Sequence, residues 1–473
     1  MNKRIILALV MCLLVLVYFP SAQVQAQNEL TKEQQDWIAK AYRFDKDGWI
    51  YLHIEGASEE RGFQNGYLMA KEIKEAIRQY NIDWNYGTSL PWPWLVKKAG
   101  EILTPKVDKE NLSEIDGIVE GMKAAGDSTS EDEMVAVNGY VELSEYWFPS
   151  IKDSISINAL DPPKESCSSF IATGSMTADG KIVLGHNTMD GYQHPFSNII
   201  IDIVPDKGHR ILMQTSPGLI HSCTDFFITD AGLVGSETTI GGFFPFDVKG
   251  IPEFSRMRSA TQYANSIDEW CAIMKKGNNG GYANAWLLGD IKTNEIARLE
   301  LGLKNIGYEK KTDGYFTGSN LPIDLNLLRR ETKESATNIK TSDVARSVRW
   351  KQLMKEYAGK INVEIAEKLE ADHYDVYLNK IQPGGRSICG HFDLDPQYSG
   401  SSEPFYPLGT VDGKVVDANM AKQMTFMARW GSACGMAFDA KKFLDEHPQY
   451  DWMSSILKDR PSEPWTEFKA GEK

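Results

Sequence analysis

Hydrophobic and polar positions change period along this chain, and the changes divide it. GWIYLHIEG (48–56) alternates as a strand, whereas SEERGFQNGYLMAKEIKEAIRQY (58–80) follows a helical period from Ser58, a candidate N-cap. NLSEIDGIVEGMKAA (111–125) reads as a further helix, and LPWPW (90–94) as a loop whose Trp92 and Trp94 either pack, the commoner role, or line a substrate cleft. FPSIKDSISINALDPPKES (148–166) holds two adjacent prolines and no sustained period, so residues 149–166 read as a linker after a mainly helical part at 27–148. Residues 167 to about 325 are β-rich. SSFIATG (168–174) and KIVLG (181–185) form a hairpin about a turn at Ala178 to Gly180. NIIIDIV (198–204), RILMQT (210–215), DFFIT (225–229), LVGSETTI (233–240), NAWLLGD (284–290) and EIARLEL (295–301) are short strands bounded by turn residues. A helix at 254–277 interrupts them. Short turns between consecutive strands favour antiparallel sheets, and the helices favour layers over them: an α+β fold, a four-layer α/β/β/α sandwich.

Composition narrows the function classes. With 473 residues, 42% of them hydrophobic, the chain has enough apolar material for a large core. A net charge of -14 without a basic stripe argues against nucleic acid, and leaves neutral, cationic and lipid substrates open. Lys3 and Arg4, the apolar run 5–19, and Val24 and Ala26 ahead of Gln27 predict a signal peptide over 1–26. An exported protein, periplasmic or extracellular (or in a lysosome-like compartment), is the expectation, with at most peripheral membrane contact. Removing that segment leaves Cys167, Cys223, Cys271, Cys389 and Cys434, an odd number, and Cys167 is the thiol expected to stay unpaired. Cys389 with Cys434, or Cys223 with Cys271, are candidate disulfides or buried thiols. With no CxxC or HExxH and scattered histidines, no metal site and no cofactor are expected.

The candidate chemistry centres on Cys167. A thiol with an ordinary pKa of roughly 8.5 needs a neighbouring base to act near neutral pH. The hairpin is expected to return His186, Asn187 and Asp190 beside it. The linker runs straight into Cys167, so a cut between Ser166 and Cys167 would free an α-amine, of pKa roughly 7.7 to 8.0, as general base.

SPGLIHSCTDFFITDAGLVGSETTIGG (216–242), GGYANAWLLGDI (280–291), VVDANMAKQMTFMARWG (415–431) and EPWTEF (463–468) resemble the phospholipase B-like family. EGASEERGFQNG (55–66) and SICGH (387–391) also resemble the acyl-CoA:6-aminopenicillanic acid acyltransferase family. Both are N-terminal nucleophile (Ntn) hydrolases, which implies that the sandwich is of the Ntn type. The resemblance implies Cys167 as nucleophile for self-cleavage and for attack on substrate, and Asn284 as oxyanion-hole donor. Thr239 would complete the oxyanion or substrate site through its backbone. His186 stands where the bile-salt hydrolase branch of that superfamily has an arginine, and a histidine there can donate, accept or change charge near neutral pH. Asp190 is one residue further from Cys167 than that branch's aspartate, so Asn187 or Thr188 are alternative partners for the new α-amine. Arg386 and His391 are candidates for a distal pocket wall.

The implied reaction is acyl transfer to water through a thioester. Amide hydrolysis leads, and phospholipase B-type ester hydrolysis releasing fatty acids is the alternative. A non-catalytic binding protein keeping the fold, and an unprocessed hydrolase with His186 as base, are further readings. The expected partner is a small acyl-amide or lipid substrate, and the fragments 27–166 and 167–473 are expected to remain associated.

Overall fold

Ile199, Ile201 and Ile203 face one way from their strand and Ile200 the other, and both sets are buried. A strand that is apolar on both faces needs a layer on each side, which is what a four-layer fold supplies. Each such buried isoleucine contributes about 1.5–3 kcal/mol. The computed structural model describes residues 29–154, 167–224, 226–397 and 403–473, so the expected signal peptide, most of the linker and Ser166 lie outside the described residues.

The strands in chain order are β1 (Tyr42–Lys46), β2 (Trp49–Gly56), β3 (Ser168–Thr173), β4 (Val183–Gly191), β5 (Ile199–Pro205) and β6 (Ile211–Thr215). They continue with β7 (Phe226–Thr229), β8 (Leu233–Thr239), β9 (Asn284–Asp290), β10 (Glu295–Leu301), β11 (Ile306–Lys311) and β12 (Gly314–Gly318). The last are a short ribbon of β13 (Tyr374–Asp375) and β14 (Lys380–Ile381), then β15 (Leu408–Asp417), β16 (Thr425–Trp430) and β17 (Thr466–Lys469). One sheet has nine strands in the order β1-β2-β5-β6-β7-β8-β9-β10-β11, and a second has six, β12-β3-β4-β15-β16-β17. Trp49, Tyr51, Ile200, Leu212 and Leu287 of the first sheet meet Ile171, Leu184, Val416 and Phe426 of the second in one buried cluster. The outer face of the first sheet packs on Ile73, Ile115, Ile118, Phe254 and Trp270 from helices. The outer face of the second packs on Trp350, Leu353, Ala366 and Leu369. The expected α/β/β/α order is therefore present.

Three details differ from the expectation. The pairing of β2 with β5 is parallel, so the first sheet is mixed: more than 140 residues separate the two strands, and no hairpin constrains their sense. Trp92 and Trp94 open the helix Trp92–Ile102, because proline is tolerated in a first helical turn. The single helix expected at 254–277 is two, Glu253–Tyr263 and Ile267–Lys275, with Ser266 capping the second through the Glu269 N–H.

Candidate active site

Cys167 immediately precedes β3, and the period of two puts its side chain on the same face as Ser169 and Ile171, toward the other sheet. Ser169 Oγ lies 2.7 Å from Ser236 Oγ of β8, which fixes that face against the first sheet. The return strand is longer than the hairpin reading allowed. It runs through His186 to Gly191, pairing Ser169 with His186 and Ser168 with Asn187. His186, Thr188 and Asp190 therefore share the inter-sheet face with Cys167, and Asn187 points outward.

The thiol of Cys167, a ring nitrogen of His186 and a carboxylate oxygen of Glu237 lie within 4.8 Å of one another, all buried. His186 Nε2 is 2.9 Å from the backbone carbonyl of Glu237, so Nε2 carries the proton and donates. Nδ1 then keeps its lone pair, and it has no hydrogen-bond partner. Burial, and then the charge of Lys414, hold His186 well below the usual histidine range. The ring is thus a neutral, uncommitted base beside a thiol.

Glu237 is held from β9 and the turn before it. Tyr282 donates its hydroxyl to Oε1 at 3.1 Å, from a backbone with φ of +50°, a conformation that costs a non-glycine residue energy and is retained where the surroundings demand it. Asn284 turns its amide nitrogen to Glu237 Oε2 at 2.7 Å and to the Ala283 carbonyl at 3.0 Å. Both amide hydrogens are thereby engaged, so the oxyanion role expected of Asn284 requires it to leave Glu237. A thiol, an imidazole and a carboxylate so close together are also a possible donor set for a divalent cation.

On the other side of Cys167, Arg346 of the helix Ser342–Glu356 reaches in fully buried. Its Nη1 donates to the Cys167 carbonyl oxygen and, at 3.1 Å, to Ser168 Oγ, and its Nη2 donates to Asn320 Oδ1 at 2.7 Å. Burial pushes its pKa down to about 10 against the raising effects of Asp343 and Cys167. Asn320 in turn donates to the Thr239 carbonyl at 2.7 Å, so the Thr239 backbone oxygen is occupied and its Oγ1 is left without a partner.

Thr188, Asp190, Asn320 and Ser342 line a cavity of about 1080 Å³ whose walls include Trp84, Tyr140, Phe148, Phe243, Tyr406 and Trp452. Cys167 is 2% exposed and is not among the described lining residues. Asp190 accepts from His194 Nδ1 at 2.5 Å and from the Gly191 N–H at 2.6 Å, outside the Cys167 cluster. Burial works against charge on His194, but Asp190 and Asp83 outweigh it and hold His194 well above the usual range.

Three expected site residues lie elsewhere, His391 among them, beside Cys389 and Cys434 and off this cavity. Asn187 donates to the carbonyls of Glu370 (2.7 Å) and Ile388 (3.3 Å) in the outer layer, because strand alternation turns it away from Cys167. Arg386 is buried against Asp375 at 2.9 Å and Asp395 at 3.5 Å and lines no part of this cavity. Glu237, Tyr282 and Arg346 were not anticipated. The one signal for Glu237 is an acidic residue inside a β-forming run, LVGSETTI, and Arg346 has none. No disulfide joins the five described cysteines.

Fold and site define a class first: a four-layer α/β/β/α sandwich with a cysteine, a neutral histidine and a carboxylate between its sheets. Within that class the chain is similar to phospholipase B-like proteins, the family its motifs resemble. The phospholipase B family model matches residues 109–306. Phospholipase B-like protein B of Dictyostelium discoideum is 22% identical over 477 residues, 86% of this chain and 79% of that protein. Putative phospholipase B-like 2 of Homo sapiens is 32% identical over 146 residues, 27% of this chain and 24% of that protein. An uncharacterized protein of Archaeoglobus fulgidus is 24% identical over 304 residues, 62% of this chain and 49% of that protein. The chain thus spans about half the length of the archaeal relative and a quarter of the human one. Among solved structures, a conjugated bile acid hydrolase from Clostridium perfringens is similar with a TM-score of 0.32 and 11% identity, over 56% of this chain and 89% of that one. No described helix is long and apolar enough to cross a membrane.

Proposed function

We propose that this protein is an exported, self-processing cysteine hydrolase that cleaves acyl amides through a thioester. The observation that carries this reading is the uncommitted Nδ1 of a buried, neutral His186 within the Cys167–His186–Glu237 cluster. In the first step Nδ1 takes the Cys167 proton and the sulfur attacks the Ser166 carbonyl carbon. The C–N bond to Cys167 breaks, its nitrogen takes the proton, and water then cleaves the resulting thioester. Residues 167–473 now begin with Cys167, whose free α-amine serves as base for substrate. The thiolate attacks the substrate carbonyl, the amine leaves with a proton, and water releases the acid and restores the thiol. Arg346 keeps the Cys167 backbone in place throughout, and Asn284 exchanges Glu237 for the developing oxyanion, an interaction worth roughly 3 kcal/mol.

The aromatic walls of the cavity suit an apolar acyl group. Fatty-acyl ester hydrolysis is the second reading, favoured by the phospholipase B-like names of the relatives. The test is the intact mass of the mature protein beside Cys167→Ala, followed by turnover of N-acyl amino acids and of phospholipid. Wild type in two pieces cut before Cys167, an intact variant, and acyl-amide turnover only in the cleaved protein are expected. If wild type stays whole and inactive on both substrate classes, a binding protein is the better account. If an intact chain turns substrate over, His186 serves as the base without processing.

A further inference from the structure

Cys389, Cys434, His373 and His391 come from three separate segments and meet on the outer side of the second sheet. The ligating atoms of all four lie within 4.8 Å of one another. His391 Nε2 is 3.5 Å from Cys389 Sγ and 3.4 Å from Cys434 Sγ. A tetrahedral metal with bonds of about 2.3 Å to sulfur and about 2.0–2.1 Å to nitrogen separates such a pair of donors by about 3.6 Å. The His373 ring lies against that of His391, centroids 5.1 Å apart, and reaches Cys434, while its buried Nε2 has no hydrogen-bond partner.

The backbone holds the donors in this arrangement independently of any ion. The Cys389 N–H donates to the Asp372 carbonyl at 3.1 Å, tying the thiol's loop to the segment that carries His373. His391 bridges to Gly409 of β15, and the Gly431 N–H donates to the Val411 carbonyl at 3.0 Å, bringing the turn with Cys434 to the same edge. Ser432 Oγ sits 3.3 Å from Cys434 Sγ as an outer contact to that sulfur. Cys389 and His391 are buried, whereas His373 and Cys434 are half-buried, which leaves a way in.

We infer that these four residues form a structural site for a tetrahedral, thiophilic divalent cation, with zinc the best match to two thiolates and two imidazoles. Four protein donors leave no open position for a substrate, so the site braces the fold. It clamps the end of the helix Val363–Glu370, the 389–391 loop and the turn after β16 against the sheet that carries His186. Binding requires the two thiols as thiolates, so their protons go to solvent as the metal enters. This revises the expectation of no metal, which rested on the absence of compact ligand motifs, and offers an alternative to a Cys389–Cys434 disulfide.

The test uses the full chain purified from zinc-supplemented culture and dialysed against metal-free buffer, with zinc measured by mass spectrometry and thiols by alkylation under denaturing, non-reducing conditions. About one zinc per chain is expected, falling below about 0.1 in Cys434→Ser and His373→Gln and staying near one in Cys167→Ala, which removes the other thiol cluster. If the variants fold poorly, cobalt titrated into metal-stripped wild type is to give the intense visible bands of a tetrahedral thiolate complex. A Cys389–Cys434 disulfide in the purified protein, absence of metal with all thiols reduced, or zinc lost only in Cys167→Ala would each overturn the proposal.

Discussion

At the scale of single residues, the site turns on which nitrogen of His186 carries the proton. The Glu237 carbonyl takes Nε2–H, burial keeps the ring neutral, and Nδ1 is left as acceptor. The direction of the shift gives the sign of the pH dependence. A histidine held below 6.5 stays a competent base as pH falls through 6.5, where an ordinary histidine would be half protonated. Self-cleavage, followed by the mass of the 167–473 fragment over time, is therefore expected to proceed at the same rate at pH 6 as at pH 7. His186→Gln is expected to slow it by about 10²–10⁴-fold, the range for a lost general base. An unchanged rate in that variant would move the base elsewhere. Cys167 and His186 were both legible in the sequence, because one hairpin joins them. Asn187 was misread because its place in the longer return strand turns it to the opposite face.

At the scale of elements, β15 connects the two sheets with charge as well as apolar contact. Lys414 is fully buried and donates to Thr188 Oγ1 of β4 at 2.6 Å, Gln214 Oε1 of β6 at 2.6 Å and Asp412 Oδ1 at 2.5 Å. Gln214 Nε2 returns a bond to Asp412 Oδ2 at 2.6 Å. Such a network is costly to break by halves, since removing the cation strands a buried carboxylate. Lys414→Met is expected to destabilise the protein by about 3–5 kcal/mol in urea unfolding. A loss under about 1 kcal/mol would mean that water or proton uptake compensates Asp412. The apolar runs of β5 and β9 announced buried strands, but nothing in them announced that β2 would enter the first sheet parallel to β5. That pairing depends on a strand more than 140 residues away.

For the whole molecule, the cut proposed before Cys167 would divide the chain without dividing its core. β2 pairs with β5 from Ile50–Ile199 to Gly56–Pro205, and Leu52, Ile54, Ile115 and Ile118 share one cluster with Ile201, Met213 and Phe227. The two fragments are accordingly expected to co-elute in size exclusion under native conditions and to separate only in denaturant. Elution of residues 167–473 alone would refute this. Acid is expected to weaken the fold through its buried neutral histidines. Burial takes His221 down to about 3, so its contribution, on the order of a few kcal/mol, is complete above pH 6.5 and is lost as pH falls toward 3. Thermal melts across that window are expected to flatten in His221→Gln.

What the sequence by itself determined is everything carried by local periodicity. The strand runs, the helical segments, the layer order and the hairpin that sets Cys167 near His186 are consequences of where apolar side chains fall within a few residues of one another. The tertiary structure alone decided which distant groups complete the sites. Glu237 arrives on β8, Asn284 at the start of β9 and Tyr282 from the turn before it, Arg346 from a helix on the far side of the second sheet, and the two Cys and two His from three loops. The physical reason is that sheet order and inter-layer packing bring together residues far apart along the chain, 179 positions for Cys167 and Arg346, and no spacing rule records which polar side chains those layers will bury face to face.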